Sequence, residues 1–161
     1  MNQKVHKKNT KKPICIGIGG VSRSGKTFLA EKIILCGITA IPPHPEIHKT
    51  ALGATESVNW EYRKDTAEAI QELRNEGYTI ISVEQAENNI PLHQFNIDTN
   101  RKYALVFGHE IHGVRQDVVD LSDAVIVVPQ HGTKHSLNVA VCTGIVVWEF
   151  LRHLPYRVVF F

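Results

Sequence analysis

Two short apolar runs in the second half of the chain constrain its fold most strongly. They span Tyr103 to Phe107 and Ala124 to Val128, and neither alternates apolar with polar residues. Such runs are typical of strands that are buried on both faces of a parallel sheet. Glycine and polar residues follow each run, and ligands of open α/β sheets bind beyond the carboxyl ends of the strands. The sequence therefore predicts a functional site in the loops after these two runs.

Further strands and helices alternate along the rest of the chain. Apolar runs at Ile14 to Ile18, Ile33 to Cys36 and Tyr78 to Val83 indicate three more short strands. Asp65, with Glu68 three residues later, forms a capping-box pattern at the start of a helix. This alternation predicts the α/β class, with a mostly parallel sheet covered by helices on both faces.

The last helix is expected from about Leu137 to Leu151, with Ser136 as its N-cap. Proline and polar residues mark residues 37–60 and 84–102 as loops. The last helix also carries an apolar stripe, which is typical of a core face and would equally suit contact with a partner subunit. The stripe consists of Leu137, Val141, Ile145 and Trp148.

The composition is that of one globular domain. Of 161 residues, 43% are hydrophobic and 21% are charged, so we expect a single domain at 13–161 after a disordered arm at 1–12. No apolar run reaches the roughly 20 residues that cross a bilayer, and no membrane association is expected. Three cysteines, Cys15, Cys36 and Cys142, lack metal-ligand spacing, which favours reduced thiols and a cytoplasmic location.

The net charge of +2 does not by itself predict nucleic-acid binding. The arm is nevertheless basic, and it would either contact RNA phosphates or serve as a solubilising tail. Its lysines are Lys4, Lys7, Lys8, Lys11 and Lys12.

A glycine-rich segment at 19–27, GGVSRSGKT, satisfies the pattern G-x-x-x-x-G-K-[ST]. In that interpretation Lys26 reaches nucleotide phosphates and Thr27 holds magnesium, which predicts a P-loop phosphotransferase. Such an enzyme also needs an acidic magnesium ligand at a strand end, and only Glu84 stands in such a position.

Three other motifs resemble the SpoU branch of the SPOUT RNA 2′-O-ribose methyltransferases. They are FGHE followed by GV at 107–114, the VP step at 128–129 and SLNVAV at 136–141. The resemblance implies a C-terminal trefoil knot, a homodimer, S-adenosylmethionine as methyl donor and tRNA or rRNA as substrate.

The same resemblance implies the site residues. Arg23 would anchor the phosphate beside the target ribose and stabilise the developing alkoxide, and Glu110 would orient that guanidinium. Ser136 and Asn138 complete the implied catalytic set, and Asn138 would position a backbone group or the ribose. The implied contacts with the methyl donor come from Val83, Gly108, Val128, Ser136 and Leu137.

Two positions depart from the family pattern. The first family motif, N-x-G-x-x-x-R-[TS], falls on 17–24, where Gly17 replaces Asn, and His109 stands where relatives usually carry Asn. A SPOUT domain that binds RNA or cofactor without turnover is therefore a third alternative. His109 with His112, and His131 with His135, suit zinc in spacing, but no further ligand completes a recognised pattern, and no metal is expected.

Overall fold

The computed structural model describes residues 14–18, 32–45, 47, 59–109, 111–132 and 137–153. Within these ranges seven strands form one sheet. The helices are α1 (Thr66–Asn75), α2 (Gln116–Asp120) and α3 (Val139–His153), with a 3₁₀ turn at Leu92–Gln94. The strands are β1 (Ile14–Ile18), β2 (Lys32–Cys36), β3 (Asn59–Arg63), β4 (Tyr78–Val83), β5 (Ile90–Pro91), β6 (Lys102–Phe107) and β7 (Ala124–Val127).

The strand order is β3-β2-β1-β6-β4-β7-β5, and every strand pair in the described sheet is parallel. This confirms the predicted α/β class with a parallel sheet. Val83, the last residue of β4, pairs in register with Phe107 of β6 on one side and with Ile126 of β7 on the other. The carboxyl ends of β6, β4 and β7 therefore lie side by side.

The buried residues form two hydrophobic clusters, and alternate residues of the central strands belong to different clusters. Ile80 belongs to a cluster with residues of α1 and α2, such as Ile70 and Val118. The next residue, Ile81, belongs to a second cluster with α3 residues such as Phe150. Successive side chains of a strand point to opposite faces of the sheet, and these two neighbouring side chains belong to different clusters.

Helix α1 begins as its sequence predicts. The Asp65 carboxylate accepts hydrogen bonds from the backbone N–H of Ala67 at 2.7 Å and of Glu68 at 3.1 Å. Gly77 follows the helix with a φ of 83°, a conformation that favours glycine. The predicted start of this helix is therefore confirmed.

The prediction of a loop over residues 37–60 was wrong at its end, because β3 begins at Asn59. The described sheet ends at β3, whose only strand partner there is β2. Its side chains are largely polar, and Glu61 forms an ion pair with Lys32 at 2.6 Å. Edge strands with charged side chains lack the apolar run by which buried strands are predicted. The two residues of β5 are too few to give any such signal.

Helix α3 also differs from its prediction. It begins at Val139 and not at Leu137, and the Asn138 side-chain oxygen accepts a hydrogen bond from Ala140 N–H at 2.9 Å as an N-cap does. The predicted cap, Ser136, lies outside the described residues. The predicted stripe is not its core face: Val141, Ile145 and Trp148 are exposed. The buried residues of α3 are Val146, Val147, Phe150 and Leu151. No described helix is long and apolar enough to span a membrane.

Candidate functional site

The candidate site is a cavity of about 220 Å³ at the carboxyl ends of β4, β6 and β7. Val83 and Glu84 line it at the end of β4, and Phe107 and Gly108 at the end of β6. The remaining walls include Val127 and Val128 after β7, and Leu137, Val139 and Cys142 around the start of α3. Parallel strands end at one edge of the sheet, which brings together segments that are up to 59 residues apart in the sequence, from 83 to 142.

The loop after β6 closes on itself. His109 N–H donates to the Gly113 carbonyl at 3.0 Å, and Gly113 N–H donates to the His109 carbonyl at 2.8 Å. Gly113 has a φ of 66°, which lies in the left-handed region. A Cβ atom at Gly108 would lie under 3.0 Å from Gly113 C and Val114 N, closer than real Cβ atoms come. We call this segment, residues 108–109 and 111–114, the glycine loop.

Glu84 connects the glycine loop to the end of β4. Its Oε2 accepts a hydrogen bond from Val114 N–H at 2.6 Å, and its Oε1 accepts one from Gln85 N–H at 2.8 Å. A Cβ atom at Gly113 would collide with the same Oε2. The sequence had suggested Glu84 only as a magnesium ligand of the P-loop alternative. Its partner is 30 residues away, so no local pattern could have identified this contact.

The wall formed by α3 is uncharged. Cys142 lines the cavity, and burial together with the negative charge of Glu84 raises the pKa of its thiol to about 11. The thiol is therefore protonated at neutral pH and acts as a small apolar group. Next to it, the backbone N–H of Cys142 donates to the Asn138 carbonyl at 3.0 Å in the first turn of the helix.

The structure brings four of the predicted site residues to one cavity: Val83, Gly108, Val128 and Leu137 all line it. Asn138 stands at the N-terminus of α3, where its described contact is the helix cap. Arg23, Glu110 and Ser136 lie outside the described residues, as do the basic arm and the glycine-rich segment at 19–27.

The two histidines of the glycine loop lie against each other. The rings of His109 and His112 are stacked, with centroids 5.1 Å apart, and His109 Nδ1 accepts a hydrogen bond from Ile111 N–H at 3.1 Å. Within the described ranges no three His, Cys, Asp or Glu side chains are grouped so as to hold a metal ion. His109 is also a cavity residue, so its departure from the family pattern falls on the wall of the site.

The fold is that of several solved RNA-modifying enzymes. A TrmH/SpoU tRNA modifying enzyme of A. aeolicus superposes with a TM-score of 0.72 at 22% identity, over 88% of this chain and 75% of that one. An AdoMet-bound rRNA methyltransferase from Sinorhizobium meliloti superposes with a TM-score of 0.80 at 22% identity, over 94% of this chain and 60% of that one.

Sequence comparison gives the family. A tRNA (guanosine(18)-2′-O)-methyltransferase of Borreliella burgdorferi is 30% identical over 103 residues, which are 64% of this chain and 46% of that protein. The enzyme of the same name from Aquifex aeolicus is 30% identical over 99 residues, 60% of this chain and 46% of that protein. The chain spans about half the length of these relatives. The model of the SpoU rRNA methylase family matches residues 17–148, and the chain belongs to that family.

Proposed function

We propose that this protein transfers a methyl group from S-adenosylmethionine to a ribose 2′-hydroxyl of tRNA or rRNA. The observation that carries the proposal is the cavity at the ends of β4, β6 and β7, because all three of the family motifs at 107–114, 128–129 and 136–141 contribute to its walls. Gly108 comes from the first of these motifs, Val128 from the VP step and Leu137 from the third. Relatives of this chain are named as tRNA 2′-O-methyltransferases, and a structural neighbour is described as AdoMet-bound.

The cavity walls suit such a methyl donor. Val83, Val128 and Leu137 provide apolar surface, while Gly108 leaves backbone accessible at close range. The protonated thiol of Cys142 adds no negative charge. S-adenosylmethionine supplies a methyl group on a sulfonium, so the protein has only to align the two reactants and assist the departure of the hydroxyl proton.

The catalytic roles belong to the same proposal. Arg23 binds the phosphate beside the target ribose and stabilises the developing alkoxide, Glu110 orients Arg23, and Ser136 binds the methyl donor. Asn138 positions backbone groups. Its N-cap hydrogen bond with Ala140 N–H supports this role, because it stabilises the start of α3 next to the cavity.

The proposal includes a homodimer that uses the exposed face of α3. Val141, Ile145 and Trp148 are 52%, 40% and 60% exposed, and they follow one another at helical spacing on a single stripe. Three large apolar side chains exposed in one row are typical of an interaction site. The finer fold prediction, helices on both faces with a C-terminal trefoil knot, is also proposed, and the two core clusters support the first part.

The P-loop alternative receives no support from the comparisons, and the family match covers the glycine-rich segment at 19–27. A methylation assay tests the proposal, with S-adenosylmethionine carrying a labelled methyl group and with separate tRNA and rRNA substrates. We expect label in ribose 2′-O-methyl nucleotides, lost in Arg23→Ala and retained in Lys26→Ala. If neither tRNA nor rRNA were methylated, the proposal would be contradicted. Full activity in Arg23→Ala would contradict the role of Arg23.

A further inference from the structure

Glu84 connects all three strand ends that form the cavity. β4 lies between β6 and β7 in the sheet. The backbone N–H of Glu84 donates to the Ile126 carbonyl of β7 at 3.0 Å. Its side chain reaches the opposite way, where Oε2 accepts a hydrogen bond from Val114 N–H at the end of the glycine loop, at 2.6 Å. One residue therefore links the β7 side of the cavity to the glycine loop on its β6 side.

The glycine loop transmits the position of Val114 to the cavity wall. A Cβ atom at Gly108 would fall under 3.0 Å from Val114 N, so these two backbone segments are already in close contact. Val114 is buried, with 7% of its surface exposed, and its N–H donates to Glu84 Oε2. When Val114 moves, Gly108 moves with it, and Gly108 lines the cavity.

The hydrogen bonds of Glu84 indicate a positioning role rather than an acid–base role. Both carboxylate oxygens accept hydrogen bonds from backbone groups, Oε2 from Val114 and Oε1 from Gln85. Hydrogen bonds from N–H groups to a carboxylate are shorter and stronger than those between neutral groups. The side chain also occupies the space that the missing Cβ of Gly113 leaves.

We propose that Glu84 is a positioning residue, which holds the glycine loop in the conformation that binds the methyl donor. This inference rests on the proposed function, because it takes the cavity to be the S-adenosylmethionine site. It goes beyond that function by giving a role to a residue outside the family motifs at 107–114, 128–129 and 136–141.

Two substitutions separate position from charge. Glu84→Gln keeps a carbonyl oxygen at the right distance for Val114 N–H but removes the charge. Glu84→Asp keeps the charge but is shorter by one methylene, and so cannot reach Val114 with the backbone in place. A positioning role predicts that Glu84→Gln largely retains its affinity for the methyl donor and that Glu84→Asp loses it. A direct ionic contact between Glu84 and the cofactor predicts the reverse order. Glu87→Ala is the control, because Glu87 is an exposed acid on the same linker.

Isothermal calorimetry with S-adenosylmethionine and with S-adenosylhomocysteine makes the test. We expect Glu84→Asp to weaken both ligands about tenfold, as the loss of one hydrogen bond to a charged group implies. Glu84→Gln keeps one acceptor oxygen but not the charge that strengthens its hydrogen bonds, so it should weaken both ligands by only about threefold. Glu87→Ala should match wild type. The inference would be overturned if Glu84→Asp bound both ligands with wild-type affinity, or if Glu84→Gln bound them as weakly as Glu84→Asp. It would also be overturned if only the binding of the positively charged S-adenosylmethionine were weakened.

The ligand-free protein provides a second measurement that does not depend on the proposed function. The Val114 amide proton should exchange with solvent about tenfold faster in Glu84→Asp than in wild type, and at an intermediate rate in Glu84→Gln, whose hydrogen bond lacks the charge. Equal exchange in wild type and Glu84→Asp would overturn the inference even if the ligand affinities differ. If wild type binds neither ligand, the proposed function fails, and the exchange rates then report on the loop alone.

Discussion

Replacing Gly108 by alanine tests how tightly the glycine loop is packed. A Cβ at this position would lie under 3.0 Å from Gly113 C and Val114 N, and an ordinary contact requires 3.4 Å or more. The colliding atoms belong to the backbone and cannot rotate away as a flexible side chain would. The loop must therefore shift, and the shift strains the hydrogen bond from Val114 N–H to Glu84.

The cost follows from two contributions. Overpacking of a tight site costs about 1–3 kcal/mol, and loss of a hydrogen bond to a charged group costs about 1.5–3 kcal/mol. We take the total cost as about 3 kcal/mol, less than the sum of the two maxima. The two costs are not independent, because a loop that moves to relieve the overpacking loses part of the hydrogen bond to Glu84. If the loop keeps its conformation, the strain remains in the folded protein and lowers the melting temperature by roughly 6–12 °C for a domain of this size. If the loop relaxes instead, the melting temperature is largely kept and binding of the methyl donor weakens about 100-fold.

Calorimetric melting and titration with S-adenosylmethionine measure both effects. The matched control is Gly132→Ala, because a Cβ at Gly132 meets nothing within 4 Å. We expect the control to bind and melt like wild type. A Gly108→Ala protein that keeps both the wild-type melting temperature and the wild-type affinity would refute the close packing from which the argument starts.

Three further changes test other parts of the structure. Asp65→Ala removes the N-cap of α1 and should lower the free energy of unfolding by about 1 kcal/mol in urea titrations; an unchanged midpoint would contradict the cap. Trp148→Glu places a charge on the exposed stripe of α3 and should prevent the proposed homodimer, so that light scattering detects a monomer; a wild-type protein that is already monomeric would exclude this dimer. The pKa of the Cys142 thiol is raised from 9.0 to about 11 in the folded state. Its contribution to stability is therefore complete below pH 9 and is lost as pH rises from 9 to 11, by up to about 1.4 kcal/mol per pH unit. Compared with Cys142→Ala, wild type should show this extra loss, and parallel pH profiles would contradict it.

The buried part of the sheet could be predicted from the sequence, because buried strands have a local signal. Strands β4 and β6 are mostly apolar and do not alternate regularly, and the predicted ranges agree with the structure to within one residue. β3 escaped detection because it is a polar edge strand whose pairing with β2 depends on contacts far along the chain. The start of α3 was misplaced by two residues because Ser136 and Asn138 both suit an N-cap, and only the backbone conformation decides between them.

The candidate site was predictable where a motif follows a strand, as at Gly108 and Val128. Glu84 was not, because its function depends on Val114, which lies 30 residues away and meets it only through the pairing of β4 with β6. A carboxylate next to a strand end suggests many roles, among them the magnesium ligand that the P-loop interpretation requires. The hydrogen bonds of both its oxygens distinguish these roles, and they exist only in the folded chain.

Calorimetric titration of the purified protein with S-adenosylmethionine and, separately, with ATP and magnesium distinguishes a methyltransferase from a P-loop enzyme. We predict that S-adenosylmethionine binds with one site per chain and that ATP does not bind. Binding of ATP without binding of S-adenosylmethionine would contradict the methyltransferase account and favour the P-loop alternative at residues 19–27.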